Sequence, residues 1–203
     1  MPKNTFFNLT EEKKKRIFNA AILEFSTRRF SEASINQIVK NADISRGSFY
    51  QYFNDKEDIY LYIITELGKE KLELFEEALN LNTDLDFFES YLHIVNIGLE
   101  WARRRPDYTR IGMLMEIDDS KFIAKLRIMA SQGYEMLRKL IERDQKRGLI
   151  KPETDPDLIV DLVYTLNIHF LKEYLSDDLC NLENMVNKTR EILKIIKEGI
   201  AQR

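Results

Sequence analysis

Residues 34–56 read SINQIVKNADISRGSFYQYFNDK, and this stretch decides the fold. Ser34 is placed to cap a short helix whose Ile35, Ile38, Val39 and Ala42 face inward. Asp43-Ile44 makes a tight turn, and Ser45 caps a further helix that carries Phe49 and Phe53 one turn apart. Two short capped helices joined by a tight turn form a helix-turn-helix. Ile38, Val39, Ile44, Phe49 and Phe53 lock that unit together. Arg46, Gly47, Ser48, Tyr50, Gln51 and Tyr52 are left on or near the outer face of its second helix.

Each of these residues suits a role at DNA. Arg46 can fork onto the O6/N7 edge of guanine or onto phosphate, and Gln51 can pair bidentately with adenine. Gly47 lets the backbone approach a groove where a Cβ would clash. Ser45, Ser48, Tyr50 and Tyr52 offer hydroxyls of different reach to phosphates. Lys56 supplies a point charge for the DNA backbone. Ser34 and Asn36 stand at a helix N-terminus, where amide donors and the dipole favour phosphate.

Upstream, Thr10 is a good N-cap, with Glu11 and Glu12 in the first turn where negative charge is favoured. Ile17, Phe18, Ala21, Ile22 and Phe25 then follow at helical spacing. Downstream, Asp55 caps a longer helix. The run ISRGSFYQYFNDKEDIY, preceded by IFNAAILEF, resembles the TetR family of bacterial repressors. The aromatic pair in FYQYF, the Lys three residues later and the small residue after Arg46 carry the resemblance, which covers about residues 10–60. Two positions depart from the family pattern. Asp43 stands where a turn glycine is common, and Asp tolerates the left-handed region moderately well. Arg28-Arg29-Phe30 stands where glycine often ends the first helix. Arg at positive φ would cost on the order of 1 kcal/mol, so this loop is expected to take another path.

The resemblance implies an all-α chain: a three-helix DNA-binding domain over residues 1–56, and a larger helical domain over 57–203 for ligand binding and dimerisation. It implies a homodimer that reads a palindromic operator in double-stranded DNA and lets go when a small-molecule inducer enters the larger domain. No cofactor is implied. The charge distribution agrees with a phosphate-facing head. Residues 1–56 carry ten Lys and Arg against six Asp and Glu, a net +4, whereas the remainder is −7. Lys13-Lys14-Lys15-Arg16 fits either further phosphate contacts or a solvated helix face.

Seven Gly and four Pro in 203 residues leave room for long helices. One is expected over residues 56–79. The next starts at Thr83 or Asp84 and ends at Arg105, because Pro106 cannot continue it. A short helix follows from Asp107. Another runs to Arg147, with Gly148 as its left-handed stop. Arg103-Arg104-Arg105 is read as compensation of a helix dipole. Asp155-Pro156 opens a helix that is apolar nearly all round from Leu158 to Leu171, and Ser176-Asp177-Asp178 separates it from the last. Leu182, Val186, Thr189, Leu193 and Ile196 form a heptad seam. With Leu158, Leu162 and Leu166 they are the expected dimer interface, in preference to an ordinary single-chain core.

Trp101, Tyr108, Met113, Phe122, Met129, Tyr134 and Asn167 are candidates for the ligand pocket. Asp161, Thr165 and His169 form a polar stripe. The single Cys180 excludes an internal disulfide, and the two histidines, His93 and His169, have no metal-ligand spacing. The polar N-terminus and the lack of a ~20-residue apolar run point to a cytoplasmic protein with no membrane contact. No nucleophile elbow, phosphate-cradling Gly loop or paired His/carboxylate cluster suggests an enzyme. The alternative to a ligand-responsive repressor is a DNA-bound adaptor whose larger domain binds a protein partner.

Overall fold

A computed structural model describes residues 1–81, 84–129, 132–174 and 182–200, apart from the side chains of 76–81, 129, 132–133, 167, 168, 170–174, 182, 183, 185 and 200. Eleven helices and no strand occur among the described residues: α1 (Asn4–Phe7), α2 (Glu11–Thr27), α3 (Ile35–Asn41), α4 (Arg46–Tyr52), α5 (Lys56–Leu81), α6 (Phe87–Arg104), α7 (Pro106–Glu116), α8 (Lys121–Met129), α9 (Gln132–Lys146), α10 (Pro156–Tyr174) and α11 (Leu182–Ile200). No helix among these residues is long and apolar enough to cross a membrane. The chain forms two compact units, Met1–Leu72 with Arg105–Arg127, and Glu73–Arg104 with Ile128–Arg203.

Local side-chain chemistry starts many of the helices. Thr10 Oγ1 accepts from Lys13 N–H, Ser34 Oγ from Asn36 N–H and Ser45 Oγ from Ser48 N–H. Asp55 and Asp155 do the same for α5 and α10, the latter with Pro156 at the first helical position. The cap of α6 is Asp86 rather than Thr83 or Asp84. Its carboxylate accepts from Glu89 N–H at 2.9 Å while Glu89 reaches back to Asp86 N–H at 3.0 Å, a reciprocal box that the sequence reading passed over. The stretch expected as one helix up to Arg147 comprises α8 and α9, with residues 130 and 131 between them outside the described residues, and Gly148 ends it at φ +71°. The expected break at residues 176–178 lies outside the described residues.

In the first unit α2 packs on α7 and α3, α1 on α4, and α3 on α4. Ile17, Ala21, Phe25, Ile38, Phe49, Phe53, Tyr60, Ile63, Ile111 and Ile123 are buried there. Aromatic edges knit it: Tyr60 meets Phe25 at 4.8 Å and Phe30 at 5.0 Å, and Phe30 meets Phe122 at 4.7 Å. Phe122, expected on a pocket wall, thus spends its ring in this core.

In the second unit α6 packs on α11 and α9, and α10 on α9 and α11. Phe87, Phe88, Tyr91, Ile141, Ile150, Ile159, Val160, Val163 and Leu193 make its core, with Ile196 and Tyr134 against it. This bears on part of the expected interface. Val186, Thr189 and Leu193 are buried within the single chain, so the heptad seam attaches α11 to its own core. Spacing reveals an apolar face but not what covers it. Leu166 is half-buried, and the side chain of Leu182 is outside the described set. Among the described residues, the exposed large apolar side chains of the pair are Leu158 (63%), Leu162 (42%) and Tyr164 (36%) on α10 and Ile195 (70%) on α11.

One buried carboxylate organises the second unit. Asp144 accepts from Phe87 N–H, Arg143 Nε and Arg147 Nη1, while the same arginines donate to the carbonyls of Leu85 and Asp84. Removing one member of such a network strands the others. Asp144→Ala should therefore cost about 3 kcal/mol in urea unfolding. Ser90 gives the opposite sign. It is fully buried on α6 and its Oγ has no hydrogen-bond partner among the described residues, so Ser90→Ala should stabilise by about 1 kcal/mol in the same assay.

Candidate nucleic-acid interface

The turn between α3 and α4 closes through backbone bonds from Ala42 N–H to Ile38 O and from Ile44 N–H to Val39 O. Asp43 takes φ +50°, the only positive φ at a non-glycine among the described residues. The turn thus uses the left-handed tolerance of Asp in place of glycine. The loop at 28–30 takes the other path, since Arg28 leaves α2 in extended conformation (φ −137°, ψ 147°).

On the inner side of α3 and α4, Ile38, Val39, Ala42, Phe49 and Phe53 are buried and Ile44 is half-buried. On the outer side Arg46, Gly47, Tyr50 and Gln51 are exposed, with Asn36 beside them at the start of α3. Arg46 is braced in that surface. Its Nη1 donates to Asn36 Oδ1 at 3.2 Å, Nη2 reaches Tyr50 Oη at 3.5 Å, and the guanidinium lies 5.9 Å from the Tyr50 ring. A Cβ on Gly47 would meet only Ser45 Oγ, at an ordinary 3.8 Å. The fold itself does not demand glycine there.

Four expected site residues have other uses in the structure. Ser34 and Ser45 spend their hydroxyls on capping, and Ser48, half-buried, pairs its Oγ with that of Ser45 at 2.9 Å. Tyr52 was expected on the outer face but is buried (6% exposed), its ring 6.4 Å from Phe6 with Lys13 Nζ 5.6 Å from its centroid. In a seven-residue helix Tyr52 follows Phe49 by three positions, which places both on the inner side.

Lys56 also differs from the expectation. Its Nζ donates to Ala33 O at 2.8 Å and Ser31 O at 3.4 Å and sits 4.6 Å from the Phe30 ring centroid. Burial lowers its pKa, and the nearby charges of Asp118 and Glu24 oppose that shift. The ammonium is a staple within the first unit. Glu24 and Asp118, both buried, complete the grip on residues 31–34: Ser34 N–H donates to Glu24 Oε1, and Ser31 N–H to Asp118 Oδ2, each at 2.8 Å. Desolvation acts to raise the Asp118 pKa, but bonds from Ser120 and Ser31 outweigh it and hold the carboxyl below its ordinary 3.8. Neither acid was singled out from sequence, because their partners lie 10 and 87 residues away.

Helix α1 was not expected from the sequence. Lys3 and Thr5 donate to main-chain carbonyls at the end of α4, and Phe6 is buried 5.1 Å from Phe53. Four helical residues carry no periodicity to read. Among the pocket candidates, Tyr108 and Met113 join Phe122 in the first unit, and Trp101 and Tyr134 belong to the second. Tyr134 meets Tyr164 at 4.8 Å. The side chains of Met129 and Asn167 lie outside the described residues.

A braced polar face on the second helix of a helix-turn-helix, at the basic end of an all-helical chain, defines a DNA-binding transcriptional regulator. Residues 17–63 match the family model described as bacterial regulatory proteins, tetR family. The chain is 35% identical to the HTH-type transcriptional regulator HbdR of Aromatoleum sp. (strain CIB), over 89% of this chain and 78% of that protein. It is 26% identical to YdgC of Bacillus subtilis (strain 168), an uncharacterized HTH-type transcriptional regulator, over 93% of both. A crystal structure of a TetR family transcriptional regulator from Chloroflexus aurantiacus J-10-FL superposes with a TM-score of 0.70 at 27% identity, covering all of both chains. The protein belongs to the TetR family of bacterial transcriptional regulators.

The grip on residues 31–34 has a pH signature. A carboxyl whose folded pKa is depressed stabilises the fold above its unfolded pKa, and that contribution is lost as pH falls through the folded value. Asp118→Asn should cost roughly 1–2 kcal/mol at pH 7. The gap to wild type should narrow below about pH 4 in urea unfolding. A gap independent of pH would show that the Asp118 charge contributes nothing.

Proposed function

We propose that the protein is a repressor that grips a palindromic operator as a homodimer and is released by a small-molecule inducer. The observation that carries this reading is the exposed face of Arg46, Gly47, Tyr50 and Gln51, with Asn36 alongside. In it, α4 enters the major groove, Arg46 and Gln51 meet base edges, and Tyr50 and Asn36 meet phosphates. Ser34, Ser45 and Ser48 shape the helix ends whose amides face the DNA backbone. Each half-site of the palindrome takes one subunit, so two copies must be held at a fixed spacing.

The exposed apolar residues of α10 and α11 suit that pairing. Leu158, Leu162, Thr165 and His169 recur at i, i+4, i+7 and i+11 on one exposed stripe of α10, and Ile195 stands exposed on α11. Burying such residues stabilises a helical dimer by roughly 1.5–3 kcal/mol for each side chain fully covered. The inducer belongs to the ligand-binding role of residues 57–203, where Trp101 and Tyr134, both in the second unit, remain candidates for contacting it. Its release of DNA requires different affinity for the bound and free arrangements of the two reading heads.

Selection from a random-sequence duplex library, with salt varied, tests the reading. A palindromic motif whose binding weakens steeply with salt is the expected result. Gln51→Ala should flatten base preference at one position in each half-site. Tyr50→Ala should weaken binding to all sequences by roughly tenfold or less. Absence of any enriched motif would defeat the proposal.

Sedimentation provides a separate check of the dimer. Leu158→Asp with Leu162→Asp should give a folded monomer of unchanged helicity and weak operator affinity. A variant that stays dimeric would move the interface elsewhere.

A further inference from the structure

Helix α4 is only seven residues long, and its C-terminal carbonyls have few partners within the helix. Phe49 O accepts from Phe53 N–H at 2.9 Å. The next three carbonyls, those of Tyr50, Gln51 and Tyr52, are each met by the segment that begins α1. Lys3 Nζ donates to Tyr50 O at 2.8 Å, Thr5 Oγ1 donates to Gln51 O, and Lys3 N–H donates to Tyr52 O at 2.8 Å. Phe6 anchors the segment, buried between Phe53 at 5.1 Å and Tyr62 at 5.5 Å. The Lys3 ammonium also lies where the helix dipole is negative.

A helix of two turns frays unless its ends are held, because nucleation is costly and few internal bonds offset it. Here the fraying end carries Tyr50 and Gln51, two of the residues assigned to DNA. We propose that residues 3–6 form an external cap on the reading helix, and that Lys3 and Thr5 are positioning residues for base recognition. Lys3 acts through the carbonyls of Tyr50 and Tyr52, and Thr5 through that of Gln51. The inference rests on the DNA reading above and adds to it a determinant outside the helix-turn-helix.

Thr5→Val keeps the shape of the side chain and removes the donor, whereas Thr5→Ser keeps the donor. The probes are the duplex selected by wild type and a scrambled duplex of equal length, with hydrogen exchange of residues 46–53 read in the free protein. Thr5→Val should bind the selected duplex about fivefold more weakly. Its affinity for the scrambled duplex should stay within about twofold, because non-specific binding draws on phosphate charge rather than on the aim of Gln51. Exchange over residues 46–53 should accelerate, and Thr5→Ser should restore both readouts. Lys3→Met should accelerate the same exchange. Wild-type affinity and exchange in Thr5→Val would overturn the proposal, as would equal losses on the two duplexes. If wild type selects no duplex, the DNA reading fails by itself, and unchanged exchange in both variants would still refute the cap.

Discussion

Residues 31–34, between α2 and α3, present backbone groups that neither helix satisfies, and three charged side chains satisfy them. Glu24 holds the Ser34 amide, Asp118 the Ser31 amide, and Lys56 the carbonyls of Ser31 and Ala33. The position of α3 depends on this loop, and α4 depends on α3 through the tight turn at Asp43. A buried polar group left unpaired costs more than a made bond contributes, so the grip works only as a complete set. Its members come from α2, α5 and the segment after α7. The head that carries the helix-turn-helix therefore includes residues 105–127 within the same compact unit.

The same logic recurs around Asp144, where one buried carboxylate gathers two arginines and the first amide of α6. In both units apolar packing supplies the bulk of the attraction, while a buried acid specifies which backbone segments meet. The arrangement leaves the polar face of α4 free of structural duties. Among the described residues Arg46 is braced by Asn36 and Tyr50, which share that face.

The legible part of the fold was the part encoded by near neighbours. Caps at Thr10, Ser34, Ser45 and Asp55, the turn at Asp43 and the stop at Gly148 all act within about four residues, so composition and spacing exposed them. The features that spacing left open depend on distant partners. Val186, Thr189 and Leu193 have the period of a seam whether a second chain or their own core covers them; all three are buried within the single chain, where α11 packs on α6 and α10. A lysine after an aromatic pair looks like a phosphate contact until Ser31 and Ala33 are seen to receive it. Tyr52 looked polar by its hydroxyl, but its ring lies among Phe6 and Lys13. Of the expected reading face, Asn36, Ser45, Arg46, Gly47, Tyr50 and Gln51 are exposed, and of these Ser45 spends its hydroxyl on the α4 cap.

The most direct test of that face is a crystal structure of the protein with a duplex selected from a random library. The account predicts α4 in the major groove, Arg46 and Gln51 within hydrogen-bond distance of base edges, and Lys56 still bonded to Ser31 and Ala33. DNA bound against another surface, or Lys56 drawn out onto a phosphate with the 31–34 loop rearranged, would contradict it.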